Sequence, residues 1–200
     1  PPDSIYIDSN FIKGLKKNDI ISGIGEMTHY FYVDSEKKFN FLNSRIDKAL
    51  RFDSKSINEI IYESLKIKKC FIEADEFDNG KRLLLNYGHT FGHAIESSCN
   101  YSIPHGIAVS YGMDMANFLS MNLGFISIEK YFEMKMVLIK IYKKNIIKTI
   151  TVKKLINALK KDKKNVDSDL RFIATKGYGK MFIHKIEMNK YFYGVLNKYL

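Results

Sequence analysis

The stretch Asn86-Tyr-Gly-His-Thr-Phe-Gly-His-Ala-Ile-Glu96 constrains this chain more than any other. His89 and His93 stand four residues apart and Glu96 seven from His89, so a helix sets all three along one face, one turn above the next. Such a face suits ligation or proton transfer. An isolated His-x-x-x-His usually means two imidazoles satisfied by ordinary hydrogen bonds, but this pair has unusual neighbours. Gly88 and Gly92 bracket His89, and a glycine within a helix costs roughly 1 kcal/mol against alanine. A ligand or another backbone is therefore expected to come close. A third histidine, His105, lies between Pro104 and Gly106, and carboxylates lie upstream at Glu26 and between Glu73 and Asp78.

Two hundred residues with 46% hydrophobic content can bury a real core. No apolar run approaches the roughly 18 residues that cross a bilayer, so no membrane association is expected. The net charge of +10 is spread over short lysine clusters, Lys16-Lys17, Lys37-Lys38, Lys143-Lys144 and Lys160 to Lys164, with no zinc-knuckle or RNA-motif pattern beside them. A basic surface or a site for an anionic small molecule fits this better than nucleic acid. Cys70 and Cys99 form no CxxC pair and no disulfide framework, which suits a reducing cytoplasm and structural thiols. The chain opens on Pro1-Pro2 without a leader, and so reads as an excerpt of a longer protein.

Helical periods dominate. Asp8-Ser9 caps a brief helix through Leu15, and Asp19 to Val33 forms the next, with Gly23 and Gly25 permitting close approach and Glu26, His29 and Tyr30 on one face. Phe39 to Leu50 reads as one core-packing helix. Ser56-Ile-Asn-Glu59 reads as a capping box opening a long helix that leaves Lys68 free of its apolar stripe, and Asn79-Gly80 as a turn. The histidine helix ends near Asn100. From Gly106 a methionine-rich helix runs to Leu123, where Gly124 stops it, and Met113, Met115 and Met121 read as core filling. Ser127 opens a helix to about Lys144, and Thr151 caps one to Lys161. Leu170 to Ala174 and Met181 to Ile186, separated by Gly177-Tyr-Gly179, read as a β-hairpin, and Met188 to Leu200 as a closing helix. The expected fold is mainly α, a helical domain with one small hairpin.

Glu26, His89 and His105 make the first-choice ligand set for a mononuclear site. Two histidines and a glutamate leave a fourth position for substrate or water, the arrangement of a catalytic rather than a structural zinc. His93, one turn from His89, could then serve as general acid or base or donate to an anion. Lys68, Arg82, Lys163 and Lys164 could supply charge for phosphate or carboxylate groups, although each alone reads as a surface residue. Glu26-Met-Thr-His29 has the Glu-x-x-His spacing of di-iron bundles, which need a second copy, and none is found. There is no His-Glu-x-x-His.

Arg82-Leu-Leu-Leu-Asn-Tyr-Gly-His-Thr-Phe-Gly-His-Ala-Ile-Glu96, followed by His105-Gly-Ile-Ala-Val109, closely resembles the signature of the 3-dehydroquinate synthase family of sugar phosphate cyclases. Ile20-Ile-Ser-Gly-Ile-Gly-Glu26, Lys68 through Asp75-Glu76, and Asp162-Lys-Lys164 with Leu170-Arg-Phe-Ile resemble further segments of that family in the same order. The resemblance implies the C-terminal, helical metal- and substrate-binding domain over residues 1–200. The N-terminal Rossmann-like domain, which supplies most of the NAD site in that family, would then lie outside this chain, and no glycine-rich dinucleotide fingerprint is visible here. It implies Glu26, His89 and His105 as ligands of Zn²⁺ or Co²⁺. His93 falls beside the substrate phosphate; Lys68, Arg82 and Asn86 fall on catalytic, substrate-holding positions, and one of Lys163 and Lys164 on another. The implied activity is that of a carbon–oxygen lyase: cyclisation of 3-deoxy-arabino-heptulosonate 7-phosphate to 3-dehydroquinate with loss of phosphate, NAD taking and returning a hydride. The resemblance also implies a cytoplasmic homodimer.

Three positions depart from the family pattern. His29 stands where a lysine is usual, Ile107 where a glutamate is usual, and Asp78 in place of a further glutamate. Retained Lys68 and Arg82 favour a carboxylate-bearing substrate. His29 keeps open a cyclase diverged to another sugar phosphate. Two further alternatives are an iron-type alcohol dehydrogenase, which would need an aspartate and three histidines, and a non-catalytic domain clipped by its metal.

Overall fold

Helix α6 (His105–Asn122) is the element around which the rest packs, because every position from Gly106 to Asn117 is buried and no face is left for solvent. The structure, a computed structural model, describes residues 3–142, 150–161 and 169–200. A 3₁₀ turn at Ser9–Gly14 leads into α1 (Lys17–Asp34), α2 (Glu36–Asn43), α3 (Ile46–Ala49) and α4 (Ser54–Ala74). A second 3₁₀ segment, Lys81–Asn86, precedes α5 (His89–Ser98) and then α6. Helices α7 (Ile128–Ile141) and α8 (Val152–Lys161) follow, then strands β1 (Asp169–Thr175) and β2 (Met181–Glu187) and helix α9 (Lys190–Tyr199). Helices α1, α5, α7 and α9 and strand β1 all lie against α6. The strands pair antiparallel, from Asp169 opposite Glu187 to Thr175 opposite Met181. Gly179 in the hairpin turn donates its N–H to the Tyr32 carbonyl at 2.9 Å, which ties the hairpin to the end of α1. The fold is thus the mainly helical one expected, with a single small hairpin among the described residues.

Glycine sets how closely these helices cross. A Cβ on Gly106 would stand 1.8 Å from the Ser22 carbonyl oxygen and 2.6 Å from the Glu26 nitrogen, and one on Gly112 would stand 2.0 Å from the Gly88 carbonyl oxygen. Helix α6 therefore meets α1 and the start of α5 backbone to backbone. Ser22 completes the first crossing by accepting the Gly106 N–H on its hydroxyl at 2.9 Å, so one of the unsatisfied donors of the α6 N-terminus finds a partner in α1. The approach expected beside these glycines is made by protein: by the Met113 side chain and the Val109 carbonyl at Gly88, by Val109 at Gly92, and by the Gly106 backbone at Gly25. Gly23 is a correction: it is exposed, and no described residue lies within 4 Å of a Cβ placed there.

One polar cluster is buried in this core. Asp114 on α6 is fully buried and accepts hydrogen bonds on Oδ2 from Tyr142 at 2.5 Å and Tyr199 at 2.8 Å, with the Lys135 ammonium 2.9 Å away. Burial first, then the Asp114 charge, hold the Tyr142 hydroxyl far above its ordinary range, so it remains a donor. Tyr87, also buried, donates to Asn117 Oδ1 at 2.5 Å. These contacts join α7, α9 and the segment before α5 to the central helix.

The sequence reading needs four further corrections. Phe39 to Leu50 is two helices, α2 and α3, since Ser44 donates its hydroxyl to the Phe41 carbonyl and competes with the ladder there. The long helix α4 is capped by Asp53, whose carboxylate accepts the Ser56 N–H at 2.8 Å, so no capping box begins at Ser56. The segment after Asp8 is 3₁₀. Cys70 is exposed rather than packed, and Cys99 is half-buried. The expected end of α7 at Lys144 lies outside the described residues. Among the described residues no helix is long and apolar enough to cross a membrane.

Candidate metal centre

Three elements bring Glu26, His89 and His105 together. Glu26 lies midway along α1, beside the glycine crossing with α6. His89 is the first residue of α5, where Gly88 adopts a left-handed conformation (φ 83°) that swings the chain out of the 3₁₀ segment, and His105 is the first residue of α6. His89 Nε2 lies 3.5 Å from Glu26 Oε1, and His105 Nε2 lies 3.5 Å from Glu26 Oε2. One donor atom from each of the three lies within 4.8 Å of the others. Bonds of about 2.1 Å to a tetrahedral zinc place ligand atoms roughly 3.4 Å apart, close to these separations.

The imidazoles are oriented from behind. His89 Nδ1 lies 3.3 Å from the Tyr87 carbonyl, and His105 Nδ1 lies 3.0 Å from Glu96 Oε2. Both partners are acceptors, so a neutral imidazole must carry its proton on Nδ1 and turn an Nε2 lone pair toward Glu26. Two nitrogen lone pairs and a carboxylate then face one another, which is stable only with a cation between them or with the imidazoles protonated. Glu26 Oε2 is buried and has no hydrogen-bond partner among the described residues. Burial works to raise the Glu26 carboxyl, but where the imidazoles around it are protonated the hydrogen bond with His89 and then their charges prevail and bring it down to about 2. Burial likewise leads at His29, whose pKa falls to about 3 against the opposing pull of Glu26. At neutral pH His29 is therefore an uncharged imidazole and adds nothing to the pull on Glu26, where the His89 hydrogen bond leads. The donor set, the fixed Nδ1 protons and the orphaned oxygen all fit a divalent ion of the zinc class.

His93 is exposed one turn along α5, its ring 5.5 Å from those of His89 and His105. Lys68 approaches from α4, its ammonium 6.0 Å from the Tyr30 ring, and Tyr30 lies within the fields of both Glu26 and Arg82. The Arg82 guanidinium donates to the Glu76 carbonyl at 2.8 Å. The loop before it is built on Asp75, whose carboxylate accepts the N–H groups of Asn79, Gly80 and Arg82. Asp78 holds a left-handed turn conformation there (φ 56°), which aspartate tolerates better than most residues. Asn86 lines a cleft of about 250 Å³ against the hairpin, together with Thr90 and Arg171. Lys163 and Lys164 lie outside the described residues. His29 is buried at 1% exposure, and its Nδ1 has no hydrogen-bond partner among the described residues and lies 3.8 Å from Glu26 Oε1. Ile107 faces the core. Sequence reasoning placed Glu96 on the histidine face without pairing it to His105, and the Tyr87 carbonyl, a backbone group, leaves no side-chain signal at all. Arg171 was legible only as part of a family segment.

Comparison with known proteins identifies the family of this chain. The family model described as 3-dehydroquinate synthase C-terminal matches residues 23–165. The chain is 34% identical over 183 residues to the 3-dehydroquinate synthase of Dictyoglomus turgidum, covering 91% of this chain and 51% of that protein. It is 36% identical over 140 residues to the enzyme of that name from Campylobacter concisus, covering 70% of this chain and 39% of that one. It spans about half the length of most of the curated relatives it matches. Among solved structures, a 2-deoxy-scyllo-inosose synthase complexed with carbaglucose-6-phosphate, NAD⁺ and Co²⁺ superposes with a TM-score of 0.79 at 20% identity, covering 93% of this chain and 54% of that one. A 2-epi-5-epi-valiolone synthase from Streptomyces hygroscopicus with NAD⁺ and Zn²⁺ bound gives 0.77 at 16% identity, covering 96% and 54%. The chain belongs to the 3-dehydroquinate synthase family, whose C-terminal domain is the part it matches.

Proposed function

We propose that this chain is the metal- and substrate-binding half of a 3-dehydroquinate synthase, a cyclase that converts 3-deoxy-arabino-heptulosonate 7-phosphate to 3-dehydroquinate with elimination of phosphate. The observation that carries the reading is the convergence of Glu26, His89 and His105, with both Nδ1 atoms anchored and Glu26 Oε2 unpartnered among the described residues. These three residues would hold Zn²⁺ or Co²⁺. When bound, the metal supplies Lewis-acid polarisation of substrate hydroxyl and carbonyl oxygens, and NAD, held mainly by an N-terminal domain, supplies reversible acceptance of a hydride.

The rest of the work falls to the side chains around the triad. His93, exposed beside His105, donates to the phosphate and relays a proton as it leaves. Lys68 and Arg82 hold the substrate carboxylate, Arg82 through a fork oriented by the Glu76 carbonyl. Asn86 orients the substrate from the neighbouring segment. The pair Lys163 and Lys164 adds positive charge for the anionic substrate. A cytoplasmic homodimer is part of the same reading.

Phosphate release by the full-length protein, given NAD, zinc and the heptulosonate phosphate, tests it. Release at about 1 per second or faster, the low end of ordinary turnover, is expected. No release from a folded, zinc-loaded protein rejects this substrate. The second reading, a cyclase for another sugar phosphate, is favoured by one observation: the buried, neutral His29 beside Glu26, where the family usually has a lysine. Release from a different sugar phosphate in the same assay would establish it.

A further inference from the structure

We propose that a second divalent cation binds beside the first, held by His93, Glu96 and His105, and that it inhibits by taking His93 away from substrate. Donor atoms of these three residues lie within 4.8 Å of one another, as do those of Glu26, His89 and His105. His105 belongs to both sets because its ring lies between two carboxylates, with Nε2 3.5 Å from Glu26 Oε2 and Nδ1 3.0 Å from Glu96 Oε2. Helix α5 supplies the other two ligands, since His93 and Glu96 are three residues apart and share its face. The His93 ring lies 5.5 Å from the His105 ring and within 27° of parallel to it, so neither has to turn far to present a nitrogen to a common ion.

Access and chemistry both support the site. His93 is exposed while Glu96 is buried, so the position opens to solvent on one side and has a sheltered carboxylate on the other. Two imidazoles and one carboxylate select Zn²⁺, Co²⁺, Ni²⁺ or Cu²⁺ over Mg²⁺ or Ca²⁺. The site is the weaker of the two. A cation here must displace the Nδ1 proton of His105, which leaves to solvent, and it sits next to another dication. With only the first metal bound, Glu96 orients His105 in the ordinary way, and His93 serves the substrate. The inference rests on the first triad holding the catalytic ion, and the test below separates the two.

Tag-free, metal-stripped full-length protein is titrated with Co²⁺, following the visible absorption of the bound ion and the bound stoichiometry after equilibrium dialysis. The wild type is expected to take two equivalents per chain, the second weaker than the first. His93→Ala is expected to lose the second equivalent and keep the first with unchanged affinity, and Glu26→Gln to lose the tight equivalent. Saturation of the wild type at one equivalent overturns the proposal, as does a His93→Ala protein that still takes two. Retention of the tight equivalent by Glu26→Gln would instead sink the assignment of the first triad.

Discussion

Replacing Gly106 by alanine tests whether the glycine crossing builds the metal centre. The added Cβ would meet the Ser22 carbonyl at 1.8 Å, short of the 3.4 Å where ordinary contact begins by about 1.6 Å, and the obstacle is backbone that cannot turn aside. Helices α1 and α6 must then separate by about that distance at the level of Glu26 and His105. Overpacking of this kind costs typically 1–3 kcal/mol, and a backbone clash belongs at or above the top of that range. For a chain of this size that lowers the melting temperature by roughly 6 °C or more. The effect on metal binding should be larger than on stability. Glu26 Oε2 and His105 Nε2 stand 3.5 Å apart, and two bonds of about 2.1 Å reach at most about 4.2 Å, less than the widened gap. One ligand is therefore lost. Metal affinity should fall by more than the roughly 100-fold that an outer-shell change can cost. Gly23→Ala, on the same helix but with no described residue within 4 Å, is the control and should stabilise by about 1 kcal/mol. Thermal melts and a zinc competition assay measure both quantities. A Gly106→Ala protein that binds zinc like the wild type would refute the reasoning.

Zinc at about 1,000 times its dissociation constant should stabilise the metal-stripped protein by about 4 kcal/mol, and an unchanged melting temperature would argue against a preformed site. Asp114→Ala leaves the Lys135 ammonium without its buried partner and should cost about 3–5 kcal/mol, against about 1.5–3 kcal/mol for Tyr142→Phe. Denaturant unfolding ranks the two, and equal losses would mean that Asp114 does not organise the cluster. His29→Lys places an ammonium near Glu26, where His29 Nδ1 now lies 3.8 Å away and uncharged. A unit charge at about 4 Å is worth on the order of 4 kcal/mol before solvent screening, so metal affinity should fall at least about tenfold. Tighter zinc binding by the lysine variant in the same competition assay would contradict this.

What the sequence reveals here follows from which interactions leave a period or a residue-type signal. His89, His93 and Glu96 share a helical face because the repeat of 3.6 residues requires it, and the hairpin is marked by two strand-like apolar runs on either side of Gly177-Tyr-Gly179. The orientation of His105 depends on Glu96, nine residues earlier and across a loop, and that of His89 on a backbone carbonyl; neither pairing has a spacing that sequence could display. Asp114 hides for a related reason. An aspartate in an apolar helix carries no sign of Lys135 on α7, Tyr142 just after it and Tyr199 on α9 arriving later in the chain. The glycines are the most instructive case. At Gly88 and Gly92, beside two histidines, they raise the expectation of a close ligand or backbone; the close neighbours there are Met113 and Val109, and at Gly106 and Gly112 they are backbone. Those contacts fix how far α1 and α5 stand from α6, and that distance places a carboxylate from one helix opposite the imidazoles of the other two. The glycines and the histidines therefore serve one geometry: the first set the helix separation, and the second can use a common ion only while that separation holds.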